Sequence, residues 1–192
     1  MITKEKCSKL SDEELVAKTL TDQNYYYCLV ERYEISLKRY IRRISDIPEM
    51  EAEDVLQDVF LSAYLNLNDF DRSLKFSSWL YRIAHNETIS NFRKRRARHL
   101  DQQISLDESF DLIGSPSIES ELDIKISGEQ MHKVFQQMKE KYREVLVLKF
   151  FEEKSYEEIS DILQKPMGTI ATLVSRAKKQ FKDIISVKNI KF

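Results

Sequence analysis

Apolar residues recur along most of the chain at the three- and four-residue spacing of a buried helical stripe. Leu29, Val30, Tyr33, Leu37, Tyr40, Ile41 and Ile44 form one such stripe, and Pro48 ends it. Upstream, Asp12 stands three residues before Leu15 and can cap a helix running to about Tyr27. The cleanest face follows at Leu56, Val59, Phe60, Ala63, Tyr64 and Leu67, opposite Glu51, Glu53, Asp54, Gln57 and Asp58. Residues 66–75 are rich in turn formers. Ser77 or Ser78 then suits the N-cap of a helix opening at Trp79. Further on, Met131, Val134, Phe135, Met138, Tyr142, Val145 and Leu146 share one helical stripe. A break at 150–154 precedes Ser155-Tyr156-Glu157-Glu158, the pattern of a capping box, with Ile159, Ile162 and Leu163 behind it. Pro166 sits where the next helix opens. There Ile170, Val174, Ala177, Phe181 and Ile184 face inward, and Thr172, Ser175, Arg176, Lys179 and Lys182 face outward. The expected fold class is all-α.

Composition narrows this further. With 3 Gly and 3 Pro in 192 residues, the chain lacks the turns of a β-sandwich or barrel. At 42% apolar it is too hydrophobic to be disordered. Charged residues break every apolar run well before the roughly 18 residues of a membrane span. Residues 1–10 lack the apolar core of a signal peptide, so export is not expected. Cys7 and Cys28 are too few for a disulfide framework. They are expected to be two reduced thiols in a cytoplasmic protein.

The formal net charge of -1 conceals a strong alternation. Residues 1–78 sum to -4, 79–100 to +5, 101–129 to -7 and 130–192 to +5. The acidic stretch is rich in Ser and Gly and has no helical period, yet it carries Ile104, Leu106, Phe110, Leu112, Ile113 and Ile118. It reads as a linker, 101–128, that docks on something. It separates two helical domains, 1–100 and 129–192.

Candidate chemistry lies in both domains. Trp79, Arg82, Asn86, Ser90 and Arg93 fall on one stripe at 100° per residue, and Lys94, Arg95, Arg96 and Arg98 follow. Aromatic faces stack on unpaired bases, amides read base edges and arginines hold phosphates. In the second domain a short helix, a tight turn and a helix with small polar and basic groups outward form the helix-turn-helix pattern. Hydroxyls and cations there suit a major groove. No phosphate-binding Gly loop is present, and the three His are not clustered with carboxylates, so an enzyme is not expected. No metal or cofactor is implied. A stand-alone helix-turn-helix regulator needs neither the Trp79–Arg93 stripe nor the acidic helix before it. A helical adaptor needs no pair of basic faces.

The segments Glu53-Asp54-Val55-Leu56-Gln57-Asp58-Val59-Phe60-Leu61-Ser62-Ala63-Tyr64 and Phe76-Ser77-Ser78-Trp79-Leu80-Tyr81-Arg82-Ile83-Ala84-His85-Asn86 resemble region 2 of bacterial sigma factors. Tyr142-Arg143-Glu144-Val145-Leu146-Val147-Leu148, Ser155 to Ser160, Gly168-Thr169-Ile170 and Ser175-Arg176-Ala177-Lys178 resemble region 4. Two regions joined by a short linker are the arrangement of the extracytoplasmic-function (ECF) subfamily of the sigma-70 family. The resemblance implies a dissociable RNA polymerase subunit without a catalytic residue or small-molecule substrate. Asp54, Gln57 and Asp58 would then dock on the β′ clamp helices. The loop from Phe70 to Phe76 would hold a flipped base of the −10 element. Trp79, Arg82 and Asn86 would meet the non-template strand, and Arg93, Lys94, Arg95 and Arg96 its phosphates. Thr169, Thr172, Ser175, Arg176 and Lys179 would face the −35 element, with region 4 also touching the β flap. The linker would run toward the RNA exit path, where its charge mimics RNA. An anti-sigma factor is a further implied partner. The chain departs from the family at Ala171 and Leu173, where basic residues are usual at the first and frequent at the second. Fewer cations there weaken phosphate binding and flatten its salt dependence.

Overall fold

The computed structural model describes residues 4–45, 47–98 and 128–187, excluding the side chains of 96–98, 129 and 187. Among these residues there are nine α-helices, two 3₁₀ turns and no strand. Linker residues 101–127 lie outside the described residues, whereas Gly128, expected to close the linker, instead opens a helix. In chain order the helices are α1 Lys4–Ser8, α2 Asp12–Thr19, α3 Tyr26–Ser45, α4 Glu49–Leu65, α5 Phe76–Arg98, α6 Gly128–Gln137, α7 Glu140–Phe150, α8 Tyr156–Leu163 and α9 Met167–Val187.

The stripes become the core. Leu29, Tyr33, Leu37, Tyr40, Ile41 and Ile44 of α3 are buried against Val55, Leu56, Val59, Phe60 and Ala63 of α4 and Phe76, Leu80 and Ala84 of α5. In the second domain Met131, Val134, Phe135, Val145, Leu146, Ile162, Ile170, Val174 and Phe181 are buried together. The inward face of α9 ends at Ile185, with Ile184 only half-buried. The two domains also pack on each other, α3 against α7 and α5 against α8, so one apolar core runs through both.

Four local expectations are corrected. Ser11, not Asp12, caps α2: its hydroxyl accepts from the Glu14 N–H at 3.1 Å, and the Glu14 carboxylate accepts from the Ser11 N–H at 2.7 Å. Asp12 instead accepts from Arg32 at 2.5 Å and from the Tyr33 hydroxyl. That helix stops at Thr19, because Asp22 captures the Asn24 N–H at 3.0 Å and opens a 3₁₀ turn, Gln23–Tyr25. Helix α5 opens at Phe76, one turn before Trp79, which places Ser78 inside the helix as a buried residue. The stripe from Met131 to Leu146 is two helices, broken at Met138–Lys139. Lys139 is extended there, and its N–H finds the Gln180 side chain of α9 at 3.2 Å. That partner is 41 residues away, beyond any local pattern.

The cysteines differ most from expectation. Cys7 and Cys28 form a disulfide with a Cα–Cα distance of 5.2 Å. Helix α1 folds back over the start of α3, and both sulfur-bearing residues are buried at the contact. Arg32 strengthens the fold-back by donating to the Cys7 and Leu10 carbonyls, each at 2.8 Å.

Candidate nucleic-acid interface

The acidic face of α4 divides into two sets. Glu49, Glu51 and Glu53 are paired with cations of the first domain. Lys38 bridges Glu49 and Glu53, Arg42 reaches Glu49, and Arg95 meets Glu51 at 2.7 Å. Asp54, Gln57 and Asp58 lie on the exposed side and make no ion pair or side-chain hydrogen bond among the described residues. Leu61 and Leu65 continue that face one and two turns on, and both are exposed. An apolar edge beside uncompensated carboxylates is a surface suited to a basic, partly apolar partner helix.

The α5 stripe is less open than its spacing implied. Trp79 is 8% exposed, with its ring 5.2 Å from Phe70 and 5.6 Å from Phe76 between centroids. Phe76 also meets Tyr33 edge-on. The indole therefore belongs to an aromatic cluster under the 70–76 loop and is not displayed beside Arg82. Arg82 is half-buried, and Asn86, Arg93 and Lys94 are exposed. Arg95 is tied back to Glu51, so the basic cluster presents Arg93 and Lys94 most openly. The Arg96 side chain lies outside the described residues.

The helix-turn-helix is built as its pattern predicts. Ser155 and Glu158 complete the capping box of α8, at 3.1 and 2.8 Å. Gln164 ends α8 in the left-handed conformation, φ 51°. The Ser160 hydroxyl secures this strained turn by donating to the Lys165 carbonyl at 2.6 Å. The α9 backbone then begins on the Pro166 carbonyl, which accepts from Thr169 at 2.8 Å. Thr169, Thr172, Ser175, Arg176 and Lys179 are all exposed on one side of α9. Thr172 donates its hydroxyl back to the Gly168 carbonyl at 2.9 Å, leaving its oxygen as an acceptor for a ligand. Leu173 is half-buried against the core. Its apolar side chain serves packing, which accounts for the absence of a cation there. Ala171 is exposed and has no such explanation.

A polar cluster between the domains went unnoticed in the sequence. Glu152 follows α7 and accepts from Arg43 of α3 at 3.0 Å and from the Tyr81 hydroxyl of α5 at 2.6 Å. Burial raises the Glu152 carboxyl above its ordinary range and lowers Arg43, and their mutual attraction opposes both shifts. Beside it, an open cleft is lined by His85 and Arg93 of α5, Glu140, Lys141 and Glu144 of α7, and Lys165. Burial, aided by Lys165 and Arg93, lowers His85 to about 4. Burial and the charge of Glu140 push Glu144 upward. Nothing local marks these residues: their partners lie 71 and 109 positions away in the chain.

Both halves match known sequence families. Residues 29–98 match sigma-70 region 2, and residues 128–181 match sigma-70 region 4. A helical chain with these two regions is a sigma-type transcription initiation protein. The ECF RNA polymerase sigma factor SigW of Bacillus subtilis is 36% identical over 145 residues, covering 70% of this chain and 77% of that relative. The RNA polymerase sigma-H factor of Pseudomonas aeruginosa is 31% identical over 175 residues, covering 88% and 90%. The ECF RNA polymerase sigma-E factor of Escherichia coli K12 is 31% identical over 179 residues, covering 89% and 92%. In fold, the chain is similar to CnrH in complex with the cytosolic domain of CnrY, with a TM-score of 0.69 at 24% identity, covering 92% of this chain and 97% of that one. It is also similar to RpoE in complex with the anti-sigma factor NepR from Bartonella quintana, at 0.65 and 23%, covering 82% and 94%. The chain belongs to the ECF sigma factors of the sigma-70 family. Its function is that of a sigma factor, which binds core RNA polymerase and promoter DNA at transcription initiation. No described helix is long and apolar enough to cross a membrane.

Proposed function

We propose that this sigma factor divides promoter selection among three surfaces, on a first domain spanning 1–100 and a second that opens with the helix at Gly128, joined by the acidic linker between them. Asp54, Gln57 and Asp58 dock on the β′ clamp helices. The observation that carries this assignment is the division of α4: its other carboxylates are neutralised by Lys38, Arg42 and Arg95, whereas these positions are left uncompensated. Arg82, Asn86, Arg93, Lys94, Arg95 and Arg96 engage the −10 strand. Phe70, Phe76 and Trp79 form the floor of the loop that receives a flipped base. Thr169, Thr172, Ser175, Arg176 and Lys179 face the −35 element, and the second domain also contacts the β flap.

In this reading the chain acts in the cytoplasm and contributes no catalytic residue. Docking and promoter contacts supply the free energy that captures unstacked bases, and nucleotidyl transfer belongs to core polymerase. An anti-sigma factor is a further partner, in keeping with the complex that the structurally similar RpoE forms with the anti-sigma factor NepR.

Run-off transcription with mapped start sites tests the proposal. Core polymerase plus this chain should initiate at discrete sites on the source DNA, and Asp54→Lys with Asp58→Lys should abolish initiation by preventing co-purification with core. Initiation unchanged from core alone would overturn the reading.

A further inference from the structure

We infer that Glu152 is a latch that holds the second domain on the first, so that the chain away from polymerase is closed and cannot span a promoter. The latch itself is geometric; its consequence for promoter access rests on the sigma reading above.

The turn after α7 is shaped to deliver it. Glu153 is left-handed, φ 51°, although it is not glycine. The Glu152 and Lys154 N–H groups donate back to Val147 and Leu148, at 3.1 and 3.0 Å. This hook directs residues on both sides of Glu153 into the first domain. One Glu152 oxygen accepts from Arg43 at 3.0 Å and the other from Tyr81 at 2.6 Å, so a single carboxylate ties together α3, α5 and the second domain. The Arg43 and Glu152 side chains are 9% and 5% exposed. Arg43 lies 4.6 Å over the Phe151 ring, and Lys154 lies 4.4 Å over the Tyr81 ring. Lys75 and Glu158 close the rim at 3.1 Å.

A buried ion pair is costly to desolvate, so its net contribution is small, while its loss on one side only is heavily penalised. Such a contact specifies one closed arrangement without making it permanent. Both groups regain water when the domains part. An interface sealed only by apolar side chains would have no such release.

The closed arrangement is incompatible with the promoter. Elements at −10 and −35 are about 25 base pairs apart, about 85 Å along the duplex. A compact chain of this length has a radius of gyration of about 16 Å. Helix α8, which opens the helix-turn-helix, lies directly against α5. The Asp54, Gln57 and Asp58 face stays exposed in the closed chain. Docking on polymerase can therefore precede opening.

Small-angle scattering of the full chain, with far-UV circular dichroism as a check on folding, tests the latch. Wild type should give a radius of gyration near the compact value. Glu152→Arg, which faces Arg43 with a like charge, should enlarge it by a third or more at unchanged helix content and bind a promoter fragment at least tenfold better without polymerase. Arg43→Glu combined with Glu152→Arg should return the chain to the compact value. An extended wild type, or a Glu152→Arg chain as compact as wild type, would overturn the latch. If Glu152→Arg opens the chain but neither form supports initiation with core, the latch stands and the sigma reading falls.

Discussion

His85 shows how burial sets the behaviour of a single side chain. Its Nδ1 is 3.2 Å from the Tyr40 hydroxyl, and Arg93 and Lys165 face it. Burial and these cations lower it to about 4, so it is neutral in the folded chain at pH 6 and above. The unfolded chain takes up a proton near pH 6.5. The folding free energy is therefore intact above pH 6.5 and declines as pH falls from there toward 4, by about 1.4 kcal/mol per unit at the steepest. Glu144 and Glu152 act in the opposite sense, since burial raises both and protonation relieves their cost. His85→Gln isolates the histidine. Urea unfolding at pH 7 and pH 5 should show wild type losing more than 1 kcal/mol relative to the variant. Parallel pH profiles would mean that the imidazole is already solvated in the folded chain. Trp79 illustrates the same influence of burial on function. Truncating it would remove a packed indole, at about 3–5 kcal/mol, before any effect on DNA could be read.

At the level of elements, local chemistry foretold much and distant chemistry did not. The Ser155 capping box and the inward face of α9 from Ile170 to Phe181 formed as their spacing predicted, because each depends on neighbours within a turn or two. The break at Lys139 did not follow from spacing, because Gln180 supplies the partner. Among the candidate site residues, the exposure of the α9 positions followed from amphipathic periodicity. The burial of Trp79 did not, because Phe70, from the irregular turn before α5, and Phe76, at the first residue of α5, close over it. Helix α1 is the strongest case: five residues long, it would not persist alone, and a cross-link to α3 holds it. The bridge spans a sequence separation of 21, which corresponds to about 3 kcal/mol of loop-closure entropy. Cys28→Ser should therefore lower stability by up to about 3 kcal/mol in oxidising buffer. Wild type with excess reductant should match it, as read by denaturant titration. Equal stability of oxidised wild type and variant would show that the cross-link adds nothing to the first domain.

The molecule as a whole is two domains that share a core, and this coupling can be measured. Buried residues run without interruption from α3 and α5 into α7 and α8, and the Glu152 cluster lies at that seam. Elements that share a core lose their packing together, so the closed chain should unfold in one cooperative step. Trp79 is the single tryptophan and lies wholly in the first domain, whereas circular dichroism reports the helices of both. In wild type the fluorescence and dichroism transitions should superimpose in urea. In Glu152→Arg the seam is opened and each domain retains only its own contacts. Dichroism should then become biphasic, with Trp79 fluorescence following just one of its phases. The lower phase belongs to whichever domain is weaker by itself, and the fluorescence identifies it without further labelling. Superimposed transitions in the variant would mean that apolar contacts alone couple the domains, and separated transitions in wild type would mean that the seam carries no coupling.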